Sequence, residues 1–347
     1  MKKAFYTFLC FALVLPAVTF AGNPDRQGEA GAPELLLNPW ARSAGLHGMT
    51  TASVTGVEAM RINVAGLSRV NKGEIAVANT RLYEGTGIGI NALGFSTKVG
   101  TGGALGVSLM SMDFGELPVT TTDQPEGTGA DFSPSFINIG VGYSYTYENK
   151  ISVGVLFRAI SQSAAGVSAS GFAIDAGVQY VSGPKDNFKL GISLRNIGSS
   201  MAFGGDGLTQ RLENPDSEDN FNLTFQTRSE DFELPSTLNI GLAYDYYFSD
   251  DLYLRGVGNF TSNSFGSDQI GAGLELSWND MVQLRGGYEF EIDENELRQS
   301  IYDGVSAGLT VLAPMGRDTD TKMAIDYAYR TTRVFEGTHN ITLRLAI

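Results

Sequence analysis

Cysteine is almost missing from this 347-residue chain: Cys10 is the only one. Histidine is nearly as scarce, with only His47 and His339. A lone cysteine closes no disulfide within the chain, and two distant histidines lack the spacing of a zinc site. After the N-terminus no run reaches the ~18 consecutive apolar residues of a membrane-spanning helix. That absence leaves a membrane barrel open, because alternating strands dilute the hydropathy signal. Positive charge is also short, with 24 Lys and Arg against 38 Asp and Glu and a net charge of -14. This balance disfavours nucleic acid as a partner, and equally a polybasic membrane-surface protein. No cofactor and no metal is expected.

What is present begins with MKKAFYTFLCFALVLPAVTFA. Lys2 and Lys3 precede an apolar core from Ala4 to Val18, and Thr19-Phe20-Ala21 forms a small-x-small cleavage site. Residues 1–21 read as a secretory signal peptide. Cys10 lies inside its apolar core, and Thr7-Phe8-Leu9 before it makes no lipoprotein box. The mature chain is then expected to lack cysteine altogether.

Glycine is abundant, at 43 residues, and apolar residues alternate along much of the chain. In SFINIGVGYSYTYENKISVGVLFRA (135–159), Ile137, Ile139, Val141, Tyr143, Tyr145 and Tyr147 share one face. Asn138, Gly140, Gly142, Ser144 and Thr146 share the other. Side chains of a strand alternate between faces, so this reads as a hairpin with one apolar side. Fourteen such strands are predicted near 73–83, 87–99, 103–112, 135–147, 150–161, 170–181, 187–197, 236–248, 251–262, 268–278, 281–291, 301–312, 321–331 and 338–347. The pattern is weaker in the first three and ambiguous at 251–262. Leu156 and Ile160 break the polar face of their strand.

A soluble sandwich does not set Gly, Ser, Arg, Asp and Glu on the second face of so many long strands. A membrane barrel does, because its lumen is polar and its outside meets lipid. Connections after even-numbered strands are short, whereas 113–134, 198–235 and 292–300 are long. Short periplasmic turns and long extracellular loops are the outer-membrane arrangement. Much of the acid sits in the long loops, at Asp206, Glu213, Asp216, Glu218, Asp219, Glu230, Asp231 and Glu233, and at Asp293, Glu294 and Glu296. The fold expected is an all-β, fourteen-stranded antiparallel transmembrane β-barrel spanning 71–347. Residues 22–70, rich in Gly, Ala, Ser and Thr without a strand pattern, are expected as a periplasmic or plug-like segment.

That segment carries LLLNPWARSAGLHGM and RINVAGLS. With FGELPVTTTDQPEGTG, GFAIDAGVQY, KLGISLRNIG and the closing GTHNITLRLAI, it resembles the PorV/PorQ proteins, relatives of the FadL fatty-acid channels. The family's Asn-Pro-Ala-Gly-Leu motif is matched by Asn63, Ala65, Gly66 and Leu67, with Val64 in place of proline. Ile347 stands where many outer-membrane proteins end in an aromatic residue. The resemblance implies a non-catalytic barrel in outer-membrane lipid that serves type IX protein secretion. Its partners would be the translocon barrel and secreted cargo proteins, met through the loops 113–134 and 198–235. The alternative it implies is a FadL-like transporter of hydrophobic small molecules, with Asn63, Ala65, Gly66 and Leu67 as a plug motif.

Two chemistries compete weakly. Gly304-Val305-Ser306-Ala307-Gly308 matches G-x-S-x-G and is followed by Asp326 and His339. The motif needs a sharp strand-to-helix turn, and here it falls inside a predicted strand, so no enzyme is expected. Asp216-Ser217-Glu218-Asp219 offers oxygen ligands for calcium but lacks the full EF-hand pattern, and reads as a solvated loop. Asp175, Lys189, Arg195, Asp245, Glu275, Arg285, Glu289, Asp326, Arg330 and Arg344 are predicted to face the lumen.

Overall fold

The computed structural model describes residues 23–213, 222–279, 281–292, 300–315 and 321–347. The signal segment, the 216–219 carboxylates and Asp293, Glu294 and Glu296 lie outside the described residues.

Fourteen antiparallel strands close into one barrel. They are β1 (Gly73–Arg81), β2 (Gly89–Val99), β3 (Gly103–Asp113), β6 (Ser135–Tyr147), β7 (Ile151–Ala164), β8 (Val167–Ser182) and β9 (Phe188–Gly198). The second half comprises β12 (Thr237–Tyr247), β13 (Leu252–Asn263), β14 (Gln269–Trp278), β15 (Val282–Glu291), β16 (Tyr302–Pro314), β17 (Lys322–Thr332) and β18 (Thr338–Ala346). Pairing of β1 with β18, with Val77 opposite Leu343, completes the ring. Closure leaves no open edge, which is what a sheet in lipid requires. The long connections carry small hairpins that the sequence pattern did not foretell: β4 (Leu117–Pro118) with β5 (Asp131–Phe132), and β10 (Thr209–Glu213) with β11 (Asn222–Gln226).

Register follows the alternation. On β6, Ile137, Ile139, Val141 and Tyr143 are exposed on the outside, and Asn138, Gly140, Gly142 and Ser144 are buried inside. The same division leaves large apolar side chains exposed on the outside of thirteen of the fourteen barrel strands, all but β13. Soluble monomers rarely expose contiguous apolar patches beyond ~300–600 Å². A continuous outward apolar band is therefore suited to lipid. Tyr145 packs edge-on to Tyr147 at 4.6 Å, and Tyr246 to Phe248 at 5.0 Å, both at the short-turn end where an interfacial girdle belongs. Glu148 and Asn149 take left-handed φ values of 46° and 58°, the type I′ geometry that matches the twist of a hairpin.

The ambiguous strand resolves as β13. Leu254, Gly256, Gly258 and Phe260 face out, and Arg255, Val257, Asn259 and Thr261 face in. Gly256 and Gly258 outside, against Arg255 and Val257 inside, blur its pattern.

Candidate functional site

The lumen is filled by the chain's own N-terminal segment, which runs from one end of the barrel to the other. It starts among the long loops. Asn23 N–H donates to the Asn263 carbonyl at 3.3 Å, Arg26 pairs with Glu233 at 3.0 Å, and Gly31 N–H donates to the Glu233 carbonyl at 3.0 Å. A 3-10 turn, Pro33–Leu36, follows, then short helices α1 (Ala41–Ala44) and α2 (Ala59–Ile62) and a 3-10 turn, Val64–Arg69. The segment leaves at the short-turn end, where Lys98 Nζ donates to the Ser68 carbonyl at 2.6 Å.

No single element of this segment is long enough to be stable alone; helices under ~12 residues are marginal in water. The wall holds them. Inward glycines of β3, β7, β8 and β9 let backbone and side chains come up against the sheet. A Cβ added at Gly154 would stand 2.8 Å from the Val64 carbonyl, and one at Gly106 2.7 Å from Met60 Sδ. Leu156, which broke the polar pattern of its strand, is fully buried with Val64 and Leu67. Ile160 does the same with Leu35 higher in the lumen.

Asn63, Ala65, Gly66 and Leu67 lie in this packed region, all buried. Asn63 Oδ1 accepts from Ala65 N–H at 3.2 Å, and its Nδ2 donates to the Thr51 and Val178 carbonyls at 2.9 and 3.1 Å. Gly66 sits against the Val54 carbonyl too closely for any side chain.

The opposite half of the wall is charged. Lys189 and Arg255 both bind Asp245, and Arg255 also reaches Glu275 at 3.1 Å. Arg285 holds Glu275 at 2.9 Å and Thr310 at 2.8 Å; Thr310 bonds Asp326. Arg344 binds Asp326 at 2.6 Å and approaches Glu74 at 3.7 Å. Asp245, Arg255, Glu275 and Arg285 are direct cross-strand neighbours. Six of the charges predicted to face the lumen, Lys189, Asp245, Glu275, Arg285, Asp326 and Arg344, thus join Arg255 and Glu74, which the sequence pattern did not single out, in one belt of alternating sign from β9 round to β1. Asp175 pairs instead with Arg158, and Glu289 with His47.

Two sizeable cavities lie in the lumen among the described residues. The upper one, about 490 Å³, opens toward the long loops and is lined by β12–β15 and by residues 27–38. The lower one, about 330 Å³, lies at the short-turn end among Arg42, Glu58, Arg69, Lys189, Arg255 and Glu275. Residues 46–52 separate them. His47 and Gly48 line the upper cavity, while Leu46, Thr50 and Ala52 line the lower. Leu46, Met49 and Ala52 pack with Ala243 and Val257 into an apolar septum. His47 Nδ1 lies 2.9 Å from Glu289, pinning this loop to β15.

Burial sets the charge state of the segment. It pushes the Glu34 carboxyl up, opposed by backbone and Gln162 hydrogen bonds, and pushes Glu58 up against the attraction of Arg42. It holds the Arg61 guanidinium well below its ordinary value.

The G-x-S-x-G string does not assemble. Ser306 points inward, with Gly45 and Gly287 carbonyls at 3.3 and 3.4 Å. Asp326 is bound by Arg344. His339 points outward, hydrogen-bonded to Tyr327 Oη at 2.8 Å, so the barrel wall stands between it and Ser306.

No protein-family model matches the chain. No curated protein matches it either. Solved structures do. A structure described as the CymD monoaromatic hydrocarbon channel aligns at TM-score 0.57 and 14% identity, over 89% of this chain and 97% of that one. The Pseudomonas putida toluene transporter TodX aligns at 0.53 and 13%, over 89% and 97%. A Pseudomonas aeruginosa FadL homologue aligns at 0.50 and 12%, over 88% and 97%. At such identities the likeness establishes the fold, that of FadL-like outer-membrane barrels, and it extends over the N-terminal segment as well as the strands. None of these structures supports the narrower PorV/PorQ resemblance.

Proposed function

We propose that the protein is an outer-membrane channel for small organic molecules with a substantial apolar part, non-catalytic and closed at rest by its N-terminal segment. Residues 1–21 would be the export signal. The observation that carries this reading is the pair of cavities stacked along one side of the lumen, with the 46–52 loop between them. A molecule entering the upper cavity needs only that loop to give way to reach the lower one. The fold shared with hydrocarbon channels supports transport over the type IX secretion role that the sequence resemblance implies. The translocon barrel and secreted cargo draw no support from either the site or the fold.

In this reading Asn63, Ala65, Gly66 and Leu67 are the fixed anchor, and Leu46 and Met49 are the moving part. A cysteine-free mature chain makes the test clean. A Cβ at Gly241 stands 2.9 Å from Thr51 Cβ, so Thr51→Cys with Gly241→Cys reaches disulfide geometry after a small shift. A Cβ at Gly142 stands 3.3 Å from Val64 Cγ2, which makes Val64→Cys with Gly142→Cys the control pair. Oxidation of the first pair should abolish toluene uptake by proteoliposomes and reduction restore it, with the control pair neutral. Unchanged uptake with the first pair closed would remove the gate. A deletion strain that retains signal-bearing cargo in its periplasm, with hydrocarbon uptake intact, would return the secretion reading.

A further inference from the structure

We propose that the upper cavity is a binding site for a small organic acid, a carboxylate carried on an aromatic or short apolar body. The inference rests on the channel reading and names the class of molecule it would carry.

The cavity is donor-rich, with three arginines whose nitrogens are not all partnered. Arg61, Arg195 and Arg330 all line it. Arg61 spends Nε and one terminal nitrogen on the Leu37 and Glu34 carbonyls, at 2.7 and 2.6 Å, and its Nη1 is buried without a partner. Arg195 donates to the Leu35 carbonyl at 3.3 Å, and its Nε has no partner. Arg330 lies over the Tyr302 ring at 4.5 Å, with Nε and Nη2 unpartnered. Among the described residues none of these arginines is ion-paired. Two carboxylates share the lining, Glu289 beside His47 at 2.9 Å and Glu291 accepting from Gln269 at 3.1 Å. Behind the lining Asp175 is paired with Arg158 at 2.7 Å and Glu34 accepts from Gln162 at 2.9 Å. Buried guanidinium groups without a counter-ion are costly, and a bidentate carboxylate is the group that fits their fork.

The rest of the cavity states the other half of the ligand. Leu36 is 47% exposed beside the buried Glu34 and Leu35, and it faces this space with Phe265, Ile301 and Tyr83. A ring or short chain fits against that apolar side. The volume, about 490 Å³, lies within the range of ligand pockets and suits a single-ring compound rather than a long chain. A neutral hydrocarbon would leave all three arginines unmatched.

The test uses the full mature chain in detergent, titrated calorimetrically with sodium benzoate and with its uncharged counterpart benzamide. Benzoate should bind at least tenfold more tightly than benzamide. Arg195→Gln and Arg330→Gln should each weaken benzoate about tenfold while benzamide stays unchanged. Heat-modifiable gel mobility checks that each variant is folded. If one is not, Arg330→Lys and the wild-type benzoate-to-benzamide ratio carry the decision. Equal affinities for the two compounds, or benzoate binding indifferent to both arginines, would overturn the proposal. Proteoliposome uptake separates it from the channel reading. Toluene uptake without benzoate preference sinks the acid site alone, whereas benzoate preference without any uptake sinks the channel alone.

Discussion

Asn63 joins three pieces of backbone through one side chain: its own turn at Ala65, the 51–54 strip at Thr51, and the wall at Val178. Truncating it leaves the buried Ala65 N–H without its acceptor and takes one donor each from the Thr51 and Val178 carbonyls, at about 1–3 kcal/mol. Asn63→Ala should make residues 40–70 protease-sensitive while the barrel keeps its heat-modifiable mobility. Asn63→Asp should be at least as damaging, because it removes both donors and buries a charge; wild-type protection in either variant would refute the anchor role. The wall side of the same contact is Gly154. A valine there meets the Val64 carbonyl, and overpacking costs about 1–3 kcal/mol. The strain is relieved most easily by lifting the segment, so Gly154→Val should show larger single-channel conductance in planar bilayers than wild type. These contacts were half legible in the sequence. Leu156 and Ile160, apolar on a polar face, marked where the lumen is not water. The glycines gave no such mark, because a missing side chain looks the same at a turn, a bulge or a contact.

Among the elements, the strands were readable and the lumen segment was not. Period-two alternation is imposed residue by residue by lipid on one side, and it placed all fourteen barrel strands, though more weakly in the first three and ambiguously at 251–262. Residues 38–70 are almost wholly enclosed and have no solvent boundary to impose a period, so the pieces are short and their order is set by the wall. The segment's start among the long loops could not be read from composition. Its helix α2 carries a pH dependence. Glu58 precedes α2, is fully buried, accepts from Ser43 N–H at 3.1 Å, and leaves Oε1 without a partner. Burial raises its folded-state value above the ordinary carboxylate value near 4.5. Between those two values the folded form binds the extra proton, so docking is favoured at the acidic side and weakens as pH rises above the ordinary value. Hydrogen exchange of residues 56–62 should therefore quicken from pH 4.5 toward neutrality beyond the intrinsic base-catalysed trend. Glu58→Gln should flatten the excess; a variant with the wild-type slope would assign it elsewhere.

For the molecule as a whole, the wall and its contents are stabilised by different chemistry on different sides. From β9 round to β1 the strands are cross-linked by the ion-pair belt, and from β2 to β8 they are packed against the segment through small residues. A channel whose contents must shift benefits from a wall that stands without them, and the belt supplies that wall on the side where both cavities lie. Arg255 is the link to remove, since it bridges Asp245 and Glu275. Breaking a buried ion pair costs about 3–5 kcal/mol, and Lys189 and Arg285 remain to place the outcome at the low end. Arg255→Gln should lower the temperature at which heat-modifiable mobility is lost by several degrees, without raising bilayer conductance. Gly154→Val should do the reverse. Their effects should add in the double variant, as expected for sites on opposite walls with no shared partner. Strong non-additivity would mean that the wall depends on the segment for its shape, and that lifting the 46–52 loop requires the barrel itself to deform.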